Sequence, residues 1–95
     1  MILEVLTPGK LLYNGNVEHV QMPGLNGSFG VLENHAPLIS ALKAGKVSVK
    51  QADKQDSQVQ HGSFFEDIAK SKEFDFEITG GVAEINNNKI IILAE

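Results

Sequence analysis

The sequence predicts an all-β fold, a flattened β-sandwich or barrel of about eight to ten short, mainly antiparallel strands. Three observations carry this. Polarity alternates with period two, most clearly in residues 46–51 and 74–79. Turn chemistry recurs between such runs, at 7–10, 14–15, 23–30, 80–81 and 86–88. Helix signals are confined to one short stretch near 64–71.

"ILEVL" (2–6) sets Ile2, Glu4 and Leu6 against Leu3 and Val5. "TPGK" turns the chain, because proline presets one backbone angle and glycine tolerates the positive one. "LLY" leads to Asn14-Gly15, a strong hairpin signal. "VEHVQM" (17–22) alternates, yet neither of its faces is purely apolar. "LISAL" (38–42) and "KVSVKQ" (46–51) read as two strands around "KAG". Residues 51–62 are polar and read as a loop or irregular strand extension. In 63–73, Ser63 is a candidate cap, Glu66 completes a capping box, and Phe64, Ile68 and Phe65 are candidates for one shared side. "FDFEIT" (74–79) alternates, Gly80-Gly81 breaks or bulges it, and "VAEI", "NNN" and "KIIIL" form a closing hairpin.

Composition bounds the function. The chain has 95 residues, 42% of them hydrophobic, with a formal charge of −4 and no cysteine. That describes one domain, 1–95, with a modest core. The acidic balance argues against a nucleic-acid binder, which needs a basic face. Disulfides and thiolate metal sites are excluded. Glu4 arrives too early for a signal peptide, and no apolar run approaches the ~20 residues that span a bilayer. A soluble domain is expected, reaching a membrane only through a partner.

Few residues are spaced for chemistry. His19, His35 and His61 are the imidazoles, and no H-x-x-x-H or E-x-x-H spacing joins them. Ser28 lies near His35 in sequence, but "NGSFG" is not a nucleophile elbow. Gly24, Gly27 and Gly30 fit neither the dinucleotide nor the P-loop template, so backbone geometry is the default account of them. A generic binding module using the 23–38 loop, and an enzyme using His35 with Ser28, stand as alternative classes. No catalytic residue, cofactor or metal site is assigned.

Two runs go further. "GSFGVLENHAPLISALKAG" (27–45) and "GGVAEINNNKIIILAE" (80–95), within matching stretches at 2–50 and 78–95, resemble the N-terminal β-sandwich domain of the epsilon subunit of F-type ATP synthase. The resemblance implies a non-catalytic subunit of the rotating central stalk. It would couple ion-driven rotation of the c-ring to the gamma subunit for ATP synthesis. It implies c-ring contact at Leu25, Asn26, Gly27, Ser28 and Phe29, where Ser28 replaces a frequently acidic residue and Phe29 could supply apolar contact. It implies gamma contact at Thr7, His35 and Ser40. The location implied is the cytoplasmic side of a bacterial inner membrane, peripheral, through the complex. Relatives usually continue into two helices; none is expected here, nor a nucleotide site. Residues 51–76 read as a longer, lineage-specific connection.

Overall fold

The computed structural model describes residues 1–52, 57–63 and 65–95. Among these, the chain forms seven strands and one short helix. The strands are β1 (Ile2–Thr7), β2 (Lys10–Gly24), β3 (Gly27–Leu32), β4 (Leu38–Gln51), β5 (Gln58–Val59), β6 (Glu73–Asn86) and β7 (Lys89–Ala94). The helix α1 spans Phe65–Ile68, between β5 and β6. Pairing runs β1-β7-β6-β4-β2-β3, and β1 also pairs with β2, which closes the sheet on itself. Closure disposes of most unpaired edges. All pairings are antiparallel except β1 with β7, which runs parallel from Ile2 beside Lys89 to Leu6 beside Leu93.

The all-β sandwich expected from the alternation is what forms. The strands are fewer and longer than expected, because three anticipated breaks are not breaks. Asn14-Gly15 makes no hairpin: both residues pair with β1, and β2 continues to Gly24. Gly15 serves close packing instead. A Cβ on it would lie 2.4 Å from the Tyr13 hydroxyl and 2.9 Å from Ser57 Cβ. Residues 38–42 and 46–51 are one strand, paired with β6 from Leu38–Ile85 to Lys50–Glu73. Gly80-Gly81 likewise lies inside β6.

What the sequence does mark at these places is a change of face. In β2 the buried positions are Tyr13, Gly15 and Val17, then Val20, Met22, Pro23 and Gly24. The register against β4 slips between Val17 and His19, so Glu18 is an extra, bulged residue. This explains why neither face of 17–22 is purely apolar. In β4 burial passes from Leu42 to Val47, Val49 and Gln51. In β6 it passes from Phe74, Phe76 and Ile78 to Ala83 and Ile85, and Gly80 and Gly81 have φ of 152° and 151° at the crossing. A side chain at Gly81 would drive its Cβ to 2.1 Å from the Leu93 carbonyl. Each long strand thus feeds one layer and then the other.

The core lies between the layers. Leu3, Val5, Tyr13, Val20, Met22, Val31, Val47, Ile85, Ile90 and Ile92 are buried there. One end is closed by the segment before β6. Phe65 is fully buried and meets Tyr13, Phe74 and Phe76 at ring-centroid distances of 5.6, 6.2 and 4.8 Å. The helix is shorter than the 64–71 anticipated, and Phe64 and residues 53–56 lie outside the described residues. Its capping also differs from a capping box. Glu66 Oε2 accepts from the Gly62 N–H at 2.9 Å, whereas the Ser63 hydroxyl donates to the Gln60 carbonyl at 2.6 Å.

Candidate functional site

β2 and β3 are joined by a two-residue turn, Leu25-Asn26, closed by the pair Gly24–Gly27. The Leu25 N–H donates to the Ala41 carbonyl at 3.2 Å, which fastens the turn to β4. Phe29 folds back beside Gly24: a Cβ on Gly24 would stand 2.9 Å from Phe29 Cε1. Phe29 therefore packs partly against the core, and the apolar group offered at the tip is Leu25, 61% exposed. Ser28 Oγ accepts from Gln21 Nε2 at 2.6 Å. Beside the turn is a depression of about 490 Å³, lined by residues 24–29 and by Ile39, Ser40 and Ala41 of β4. Every one of these residues is uncharged.

The structure thus gathers Leu25, Asn26, Gly27, Ser28 and Phe29 in one place and adds Ser40 to them. Thr7 and His35 stand elsewhere. Thr7 ends β1, among Leu12, Thr79 and Glu95. His35 is exposed in the connection from β3 to β4, where its Nδ1–H donates to the Ala36 carbonyl at 2.7 Å. The neighbouring Asn34 N–H donates to Asn88 Oδ1 at 2.9 Å, so this connection sits at the β6–β7 turn. Ser28 and His35 spend their side chains on different partners, Gln21 and Ala36.

One surface is not marked by any motif in the sequence. Leu11 pairs with Leu6, Leu6 with Leu93, Leu93 with Val82, and Val82 with Ala41. Cross-strand partners share a face. The buried row beside them (Tyr13, Val5, Ile92, Ala83) points inward, so this row points out. It crosses five strands and ends at Ala41, whose carbonyl holds Leu25. Ile39, 71% exposed, lies two residues along β4 on the same side. Leu93 and Val82 are exposed as well. The signal was present in "IIILA" (90–94), which stays apolar where a strand with one solvated face should alternate. The opposite layer is built the expected way, with Glu73, Asp75 and Glu77 of β6 facing outward beside Lys46 and Lys50. Lys46 and Asp75 approach to 3.8 Å, and Lys50 and Glu18 to 3.5 Å. Exposed pairs of this kind contribute little to stability.

Fold and surface together define a small closed β-sandwich with one charged outer face, a second outer face crossed by an apolar row beside Glu4, Glu84 and Lys89, and an uncharged hairpin turn at the end of that row. Residues 1–66 match the family model described as the ATP synthase delta/epsilon chain, beta-sandwich domain. The ATP synthase epsilon chain of Chlorobaculum tepidum is 39% identical over 93 residues, covering 98% of this chain and 86% of the relative. That of Chlorobium limicola is 38% identical with the same coverage. That of Maridesulfovibrio salexigens is 34% identical over 95 residues, covering 100% of this chain and 54% of the relative. Among solved structures, a chain in the Tetrahymena thermophila mitochondrial ATP synthase central stalk/c-ring superposes with a TM-score of 0.71. It is 16% identical, with 99% of this chain and 62% of that chain covered. A chain of the Euglena gracilis mitochondrial ATP synthase gives 0.70 at 20% identity, with 99% and 49% covered. The chain belongs to the ATP synthase delta/epsilon family, through its β-sandwich domain.

Proposed function

We propose that this protein is a non-catalytic rotor subunit that couples c-ring rotation to the gamma subunit of an F-type ATP synthase. The observation that carries the reading is the outward apolar row Leu11–Leu6–Leu93–Val82–Ala41, running into the Leu25 turn. A contiguous exposed apolar strip on a small domain marks a protein contact. Thr7 and His35, which do not touch each other's surroundings, border that face at different corners, and Ser40 flanks it beside the turn. Gamma would cover the row and its border. The loops of the c-ring would meet Leu25, Asn26, Gly27, Ser28 and Phe29. Two adjoining contacts on one close-packed body suit a coupling role, because densely packed interiors transmit strain rather than absorb it.

In this reading the domain supplies no reacting group and reaches the membrane through its partners, on the cytoplasmic side of a bacterial inner membrane. Among the described residues no helix is long and apolar enough to cross a bilayer. The test is reconstitution of the full chain with purified gamma subunit and c-ring. Stable co-elution of all three is expected. Failure to bind gamma at micromolar concentration would overturn the proposal.

A further inference from the structure

β3 pairs with β2 alone among the described residues, so its other edge is open. The direction of its backbone groups follows from the turn. A two-residue loop requires Gly24–Gly27 to be a hydrogen-bonded pair, and such pairs alternate along an antiparallel ladder. Gly27, Phe29 and Val31 therefore turn their N–H and C=O groups toward β2. Ser28, Gly30 and Leu32 turn theirs away, and no other backbone group among the described residues receives them.

This edge carries none of the usual protection. "GSFGVL" contains no charge and no proline, and its register against β2 is free of bulges. Bare edges of this kind are templates for strand pairing, and proteins that leave them bare cover them. Gly30 has His19 and Gln21 lying across its face, at 2.6 and 2.8 Å from where its Cβ would be, which leaves the edge itself clear. Leu32, 64% exposed, offers an apolar anchor at the far end. The edge leads straight into the connection that bears His35 and is tied to Asn88.

Building on the proposed rotor role, we propose that an extended segment of the gamma subunit adds to β3 as an eighth strand, pairing with the backbone of Ser28, Gly30 and Leu32. Only a strand supplies donors and acceptors at this spacing along ~20 Å of edge. Gamma is the occupant because the Leu32 end of the edge opens on the His35 corner, at the border of the face assigned to gamma, while the Ser28 end is where gamma would meet the c-ring contact. The partner segment would carry small or apolar residues opposite Leu32 and no buried charge.

Amide hydrogen exchange by NMR on the full chain, alone and with purified gamma, tests this. Alone, the Phe29 and Val31 amides exchange slowly and those of Ser28, Gly30 and Leu32 quickly. In the complex the latter three should slow at least about 100-fold, the scale on which paired sheet amides differ from open ones. Leu32→Pro removes an outward N–H at a place an edge strand tolerates. It should weaken gamma binding tenfold or more, whereas Leu32→Ala should weaken it less. A complex that forms with these amides still fast overturns strand addition and leaves the rotor role standing. Protection that rises with the concentration of this chain alone, without gamma, overturns it in favour of a second copy. Absence of any complex removes the rotor role and this inference together.

Discussion

Gln51 is the one buried polar side chain among the described residues, and all of its hydrogen-bonding capacity is directed inward. Its Oε1 accepts from the Tyr13 hydroxyl at 2.7 Å, and its Nε2 donates to the Ala69 and Ser71 carbonyls at 2.7 and 2.8 Å. Replacing it with Leu strands those groups, and the expected loss is about 1–3 kcal/mol in urea denaturation. Gln51→Glu should cost more, since a carboxylate would face two carbonyl oxygens. Neither change should alter the surface. Gly81→Ala belongs to the same scale. Its φ of 151° and the Leu93 carbonyl in its path both oppose a side chain, so a loss above ~1 kcal/mol is expected, with faster exchange at the end of β7. Neither role was legible in the sequence. Gln51 stands at the head of a polar run and reads as solvated, because its partners at 69 and 71 are distant in the chain. Gly15 was misread for the complementary reason: Asn-Gly signals a turn locally, but the nearby Tyr13 hydroxyl selects glycine for lack of space.

At the scale of elements, α1 is a single turn, too short to be stable by itself. Phe65 holds it by closing the aromatic group with Tyr13, Phe74 and Phe76. Phe65→Ala should therefore cost about 3–5 kcal/mol and open that end of the core, checked by thermal unfolding and near-ultraviolet dichroism. If the melting temperature does not fall, the segment before β6 is an ornament rather than a plug. The alternation in 46–51 and 74–79 was read correctly because both runs lie within one layer. The runs that misled cross between layers. One inserted residue, Glu18, shifts the phase of burial, and a period-two pattern with a phase shift resembles two strands or none.

For the whole molecule, the asymmetry of the two outer faces separates stability from assembly. Val82→Lys with Leu93→Glu places opposite charges on exposed, directly paired positions and should leave unfolding nearly unchanged. The same pair should abolish binding to gamma, measured by co-elution, whereas Glu77→Gln on the charged face should not. Equal binding by the double variant and the unaltered chain would sink the assignment of that face. The family resemblance carried the loop residues 25–29 to one location and left Thr7, His35 and Ser40 scattered. It missed Leu93 and Val82 because apolar residues in a strand are read as core unless both of their cross-strand neighbours are known.

The passage of β2, β4 and β6 from one layer into the other has a mechanical consequence. In a sandwich whose sheets meet only through side chains, the sheets can slide past each other by giving up weak contacts. Here three continuous peptide chains run through that plane like tie-rods. Sliding would have to turn backbone dihedrals at these crossings and break the ladder hydrogen bonds that flank them. A twist applied at the Leu25 end would therefore reach the far face along the backbone as well as through the packed side chains.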